Sequence, residues 1–194
     1  MSNSNRFKKK HTIKIPKNIK VLYCDKKNLI TFIGPSQTKS LKIKVKLFLT
    51  PKSNLIMVTN IFASKASTTN VKNLNKLQGT TVAKIKQILI EINYRLYHKL
   101  NLVGVGYRVF PYEHLDNQLY FKLGLSHLTY FKVPYSLKTY CQKFTKLFIF
   151  GNSSIDTLTQ TAARIRAFKK PEPYKGKGIL HDQERITLKK GKKI

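Results

Sequence analysis

Two hydrophobic spacings organise this chain. Leu41-Lys42-Ile43-Lys44-Val45-Lys46-Leu47 alternates strictly, with Lys in every polar slot. A period of two places the apolar set on one face of a strand and the lysines on the other. Leu29-Ile30-Thr31-Phe32-Ile33 is a short apolar run that stops at the turn residues Gly34-Pro35. Leu55 to Val58 is expected as the hairpin partner of the alternating strand, across a turn over 51–54. A Ser, Thr, Asn and Lys-rich stretch, 59–79, then reads as a loop. Thr80 or Thr81 can cap a helix with one apolar stripe at Val82, Ile85, Ile88, Leu89, Ile92 and Leu96. That helix should lie across the preceding sheet.

The second half repeats the plan. Leu102 to Val109 and Leu119 to Leu125 read as strands around turn residues 111–118, and Leu147 to Phe150 as a strand closed by Gly151-Asn152. Ser153 or Ser154 can cap a helix whose stripe is Ile155, Leu158, Ala162 and Ile165. Pro171 lacks an N–H and restrains its neighbour, so the helix must end before it. A seven-residue pattern also recurs. Lys14-Ile15-Pro16-Lys17-Asn18-Ile19-Lys20 matches Lys132-Val133-Pro134-Tyr135-Ser136-Leu137-Lys138, 118 residues on. Each copy precedes an apolar strand, at Leu29 or Leu147, that ends in Gly. The expected fold class is therefore α+β: two tandem duplicated small domains, each an antiparallel sheet packed on a helix, plus an extended basic C-terminal tail. The expected boundaries are a basic arm over 1–13, domains over 14–99 and 100–170, and the tail over 171–194.

Charge narrows the function. The chain carries 38 Lys and Arg against 8 Asp and Glu among 194 residues, a formal charge of +30. A compact body this cationic repels itself and requires a polyanion, nucleic acid ahead of membrane or polysaccharide. Lys outnumbers Arg 32 to 6, Asn, Ile, Tyr and Phe are plentiful, and Trp is absent. These choices point to AT-rich coding, as in an organelle genome. The absence of a long presequence fits a protein encoded inside an organelle, mitochondrion ahead of plastid, with a bacterial cytoplasm as the alternative. Cys24 and Cys141 stand far apart, outside any CxxC or Cys/His arrangement, and read as buried free thiols. No run of 18 apolar residues occurs, so no membrane span is expected; neither a membrane partner nor a small-molecule substrate is expected.

Enzyme chemistry finds little support. The five His lack metal-ligand spacing, the acids form no evident carboxylate pair, and neither GxSxG nor a Walker pattern occurs. No catalytic role, metal or cofactor is expected. Gly104-Val105-Gly106 lacks the third Gly of GxGxxG, because Val109 holds that slot. A bulge or close backbone approach suits those glycines better than a nucleotide. Tyr107 and Arg108 could contact RNA or the tail, or simply pack and solvate.

The C-terminal segment carries more. Arg164 to Ile194 holds 11 Lys and Arg and 3 acids. Pro171 and Pro173 stiffen an extended stretch, Gly176 and Gly178 admit close backbone approach, Tyr174 can stack, and the flanking Lys can neutralise phosphate. Packing into an RNA groove suits this set. A disordered tail is the alternative, and disorder before assembly is expected on charge alone.

Three motifs in order then resemble one family. Leu102-Val103-Gly104-Val105-Gly106-Tyr107-Arg108, Leu123-Gly124-Leu125-Ser126-His127, and the run from Arg164 to Ile179 through Lys170-Pro171-Glu172-Pro173-Tyr174-Lys175-Gly176-Lys177-Gly178 are similar to the bacterial-type large-subunit ribosomal protein six family. The likeness runs from about Ile15 to near the C-terminus. It implies two duplicated α+β domains and a structural, non-catalytic role. It implies partners in large-subunit rRNA, near the sarcin–ricin region and the base of the factor-binding stalk, and in neighbouring ribosomal proteins. By motif match it implies rRNA contacts at Ser126, His127, Arg166, Lys169, Lys170, Tyr174, Lys175, Gly176, Lys177 and Gly178. The longer, acid-bearing turn 110–118 and the stretch 59–79 depart from the family layout. A free RNA-binding module or RNA chaperone is the alternative function. A cationic membrane-surface protein would need a basic amphipathic helix, and residues 80–99 come nearest.

Overall fold

The structure is a computed structural model of the chain and describes residues 11–35, 37–50, 54–63, 71–112, 117–151 and 154–191. Most of the expected arm, the turn residues 51–53, Glu113, Asp116 and the last three residues lie outside them. Two compact units meet between Tyr94 and Arg95. The strand that opens the second unit starts at Leu96, so a boundary at 99/100 would cut it.

The first unit runs β1 (Thr12–Lys14), β2 (Lys20–Cys24), β3 (Leu29–Ile33), β4 (Thr38–Lys42), β5 (Val45–Thr50), β6 (Leu55–Phe62) and α1 (Val71–Asn93). Its strands form two antiparallel sheets, β1-β6-β5 and β2-β3-β4. The Lys-alternating run is not one strand. It leaves one sheet at Lys42 and enters the other at Val45. At the crossing, the Ile43 N–H donates to the Asn28 carbonyl at 2.8 Å and the Ala63 N–H to the Lys44 carbonyl at 3.0 Å. The alternation survives the change of sheet, and Ile43, Val45 and Leu47 all face one core with Ile30, Phe32, Ile56 and Val58.

Helix α1 closes that core with Val82, Ile85, Leu89 and Ile92. Each such fully buried side chain contributes about 1.5–3 kcal/mol. The helix starts at Val71, within the expected loop 59–79, and Thr80 and Thr81 sit inside it rather than capping it. The polar composition of 71–79 masks an inward set: Leu74 and Leu77 pack on the core, and the Gln78 amide donates to the Val58 carbonyl at 2.7 Å. Leu96 belongs to the next strand, not the helical stripe. Glu91, buried on α1, takes the Lys39 ammonium of β4 and the Gln87 amide.

The second unit runs β7 (Leu96–Val103), β8 (Arg108–Pro111), β9 (Gln118–Lys122), β10 (Thr129–Lys132), β11 (Leu137–Gln142), β12 (Lys146–Gly151), α2 (Ile155–Phe168) and β13 (Gly178–His181). Its sheets are β10-β9-β8 and β11-β12-β7-β13. Ser154 caps α2, its hydroxyl accepting from the Thr157 N–H at 3.3 Å. Leu158, Ala162 and Ile165 face a core with Leu100, Val109, Leu119, Phe121, Leu147 and Ile149.

The duplication is present, in a different register from the one the sequence pattern suggests. The pairing β1-β6-β5 recurs as β7-β12-β11, and β2-β3-β4 recurs as β8-β9-β10, with a helix following each set. Asn28 and Asn117 mark equivalent points. Both are left-handed, at φ 50° and 61°, a region Asn tolerates. Both carbonyls accept from an apolar residue after the third strand of the sheet, Ile43 at 2.8 Å and Val133 at 2.7 Å. The buried pair Ile30 and Phe32 answers to Leu119 and Phe121. The offset is therefore 89 positions, not 118. The matched heptapeptides are non-equivalent connections: Pro16 links β1 to β2, while Pro134 links β10 to β11. They resemble each other because both make the same turn, Ile19 N–H to the Pro16 carbonyl and Leu137 N–H to the Pro134 carbonyl.

Candidate nucleic-acid interface

The segment after α2 folds back instead of extending away. The Lys169 carbonyl accepts from the Ile179 N–H, the Lys177 carbonyl from Glu172, and the Glu172 carbonyl from Gly176, each at 2.9 Å. Gly178 is buried. A Cβ there would sit 2.6 Å from Pro171 Cα and 2.7 Å from its nitrogen, at a φ of +152° that disfavours side chains. The close backbone approach expected at this Gly occurs, and its partner is the chain's own Lys170–Pro171 step. β13 then pairs antiparallel with β7, and Ile179 is 0% exposed within the core. Within the range read from the sequence as a tail, an apolar residue and a Gly at the right spacing dock Gly178–His181 as a fourth strand.

What the loop presents outward is Lys170, Glu172, Pro173, Tyr174 (54% exposed) and Lys175, with Lys169 and Lys177 half-buried. Gly176 turns the chain at φ +69°. The returning chain braces the tip, since the Lys189 N–H donates to the Pro173 carbonyl at 2.9 Å. Arg166 is engaged within the chain. Its guanidinium grips Glu184 through two of its nitrogens, Nη2 and, at 3.0 Å, Nε. That hydrogen bond holds the Glu184 carboxyl below the usual carboxylate range, helped by the His181 N–H at 3.1 Å.

Ser126 and His127 are exposed on the β9–β10 connection. Tyr107 explains the flanking glycines. It is 8% exposed, so the packing alternative holds for its side chain. A Cβ on Gly104 would come within 2.7 Å of the ring and one on Gly124 within 3.1 Å, both at positive φ. The ring thus wedges between the β7–β8 and β9–β10 loops and fixes them together. Phe168, the last residue of α2, packs on Phe121 at 5.8 Å and Phe131 at 5.9 Å. Phe121 pairs with Thr129 at the mouth of the loop bearing Ser126 and His127. One aromatic cluster therefore anchors both that loop and Lys169–Lys170.

Sequence reasoning named Arg108 as a possible contact but left out its cationic partner, Lys122. Arg108 and Lys122 lie directly opposite each other on β8 and β9, both exposed. Like charges so placed repel, which an external anion would relieve. The signal was available: both occupy polar slots beside buried Val109 and Phe121. Elsewhere, Lys99 pairs with Asp182 at 2.5 Å, and the described acids answer few of the cations. Among the described residues no group of three His, Cys, Asp or Glu could hold a metal, and no helix is long and apolar enough to cross a membrane. Cys24 is exposed, against expectation, because it sits on the outer face of the edge strand β2. Cys141 is half-buried, and burial pushes its thiol up to about 11.

The family described as Ribosomal protein L6 matches residues 103–182. Curated proteins of the same kind match more widely. Large ribosomal subunit protein uL6 of Chloroherpeton thalassium is 31% identical over 93% of both chains. That of Clostridioides difficile is 32% identical over 92% of each. That of Leptothrix cholodnii is 34% identical over 79% of this chain and 86% of its own.

Proposed function

The chain belongs to the ribosomal protein L6 family, and on that premise we propose that its second unit binds large-subunit rRNA, beside the sarcin–ricin region and the base of the factor-binding stalk. The chain is a structural, non-enzymatic component of the large ribosomal subunit, acting in translation with rRNA and neighbouring proteins. The observation that carries the RNA reading is the closed loop 169–178, held by three backbone bonds and tipped with Lys170, Tyr174 and Lys175. A preformed cationic loop with an exposed aromatic meets phosphate and base without first being ordered. Ser126, His127, Lys169 and Lys177 extend this contact set. Arg166, Gly176 and Gly178 hold the loop in shape, Arg166 through Glu184.

Lys-over-Arg usage at 32 to 6 supports a member encoded in an organelle, serving a mitochondrial ribosome ahead of a plastid or bacterial one. Fractionation of the source cell tests that placement. The RNA reading is tested by titrating the full chain against a cognate rRNA fragment at several salt concentrations. Six to eight neutralised phosphates predict a slope of log K on log salt of about −5 to −7. A slope near −1 sinks it. A free RNA chaperone would instead bind many RNAs alike and stay off the large subunit in sedimentation.

A further inference from the structure

The outer face of the sheet β10-β9-β8 carries a row of rings that pack on one another across the strands. Val109, Leu119 and Phe121 point to the core, so Phe110, Tyr120 and Tyr130 point away from it. The three are consecutive cross-strand partners, Phe110 opposite Tyr120 and Tyr120 opposite Tyr130. Phe110 and Tyr120 stack at 5.0 Å and 16°, and Tyr130 follows at 6.4 Å. Phe144, from the turn between β11 and β12, continues the row at 4.7 Å from Phe110. Tyr130 is 58% exposed and Phe144 47%. Two residues along each strand, on the same face, stand Arg108 and Lys122, and Lys132 flanks the other side.

The duplication supplies an internal control. The equivalent face of the first unit is the outer side of β2-β3-β4, where the matching row is Leu22, Thr31 and Ser40. There Lys20 faces Ile33, not a second cation. The same sheet therefore forms without the rings and without the opposed charges. Neither is required by the fold, and a half-buried aromatic row with exposed ends, beside two cations facing each other, is costly unless something covers it.

We infer that this face is a second RNA contact, distinct from the 169–178 loop, on which an unpaired RNA strand lays successive bases against Tyr120, Tyr130 and Phe110 while Arg108 and Lys122 take its phosphates. The occupant is fixed by charge. The described residues of this face contribute cations and no acid, which favours a polyanion over an apolar protein surface; Glu113 and Asp116, in the β8–β9 turn, lie outside them. Planar rings at cross-strand spacing suit bases, and unstacked bases exist only in single strands. The inference rests on the reading of the chain as an RNA binder and adds the form of RNA bound.

The test uses the full chain with two probes, a short oligouridine and the rRNA fragment used for the salt slope. Tyr120→Leu with Tyr130→Leu keeps an apolar cross-strand pair and removes the stacking planes. Oligouridine affinity should fall on the order of 10- to 100-fold, the equivalent of losing two stacked bases. A Lys170→Ala, Lys175→Ala control should instead weaken the rRNA fragment. Unchanged oligouridine affinity in the double Leu variant overturns the inference, even when the fragment keeps its steep salt slope and the RNA reading stands. Photocrosslinking of 4-thiouridine RNA to the unaltered chain is independent of folding in any variant. Crosslinks on β9 and β10 are expected, and crosslinks confined to 169–178 overturn it. So does a protein neighbour, in place of RNA, crosslinked to Tyr130 in the assembled subunit.

Discussion

Ile179→Ala separates a strand from a tail. In the structure Ile179 is 0% exposed, paired through β13 with Leu102 of β7 and enclosed by the core beneath α2. Truncating it removes the transfer free energy of the lost carbons and leaves a cavity in the close-packed core. Such changes cost about 2–5 kcal/mol. Against a domain stability of about 5–15 kcal/mol, that is a large share of the second unit's margin. Urea slopes of about 1–3 kcal/mol per molar turn the cost into a midpoint about 1–2 M lower. The ten Tyr, with no Trp, give the fluorescence signal, and far-UV circular dichroism reports the same transition. The slope should be unchanged. If the segment were a free basic arm, the change would fall within about 0.5 kcal/mol, as for ordinary surface sites. A midpoint identical to that of the parent chain would refute the docking of β13 and the loop geometry that depends on it.

Other perturbations follow from the same contacts. Gly104→Ala drives a Cβ into the Tyr107 ring at a φ of +153°, and should cost about 1–3 kcal/mol; adding Tyr107→Leu should recover the steric part but not the backbone part, giving a coupling energy in a double-mutant cycle. Glu184, held below its ordinary value of 4.5 by Arg166, contributes stability that is whole above that value and is lost as pH falls through the lowered folded-state value. Glu184→Gln should therefore flatten the acid limb of a plot of thermal midpoint against pH, and an unchanged limb would exclude the pair as its source. Gly178→Ala places a Cβ 2.6 Å from backbone, not from a movable side chain. It should weaken rRNA-fragment binding together with stability, and full affinity in a folded variant would show that the loop does not need its closure.

Element types were legible where the period was strict and unbroken. The stripes Val82, Ile85, Leu89 and Ile92 of α1 and Leu158, Ala162 and Ile165 of α2, and the inward set Ile43, Val45 and Leu47, stand where their spacing put them. What periodicity could not register is a strand changing sheets without changing face, as at Ile43–Lys44, because alternation runs through the crossing intact. Nor could it see that Gln78 is a core-facing helical residue. Its amide is useful only next to the Val58 carbonyl, a tertiary fact. The candidate loop was legible in residue types and wrongly read in shape. Pro, Tyr, Gly and Lys in one stretch describe an extended RNA-groove segment and a closed, braced loop equally well. Ile179 decides between them, and one Ile in a basic run is a weak signal until β7 is known to have an open edge.

That edge shows how two copies of one frame come to differ. In both units the first strand lies at the margin of its sheet, beside the last. In the second unit β13 covers it, bringing Ile179 into the core and carrying Glu184 to Arg166. Among the described residues, β1 in the first unit pairs only with β6. The added strand does more than protect backbone hydrogen-bonding groups. Because β13 is tied to Lys169 at one end and the core at the other, the nine residues between have little freedom, and the loop they form is closed by its own backbone bonds. The same asymmetry appears on the opposite sheet, where Leu22, Thr31 and Ser40 in one copy are Phe110, Tyr120 and Tyr130 in the other. Differences laid on an identical pairing scheme cannot be demanded by that scheme. They add a braced loop, three rings and the Lys122 cation to the second unit, the unit proposed to bind RNA.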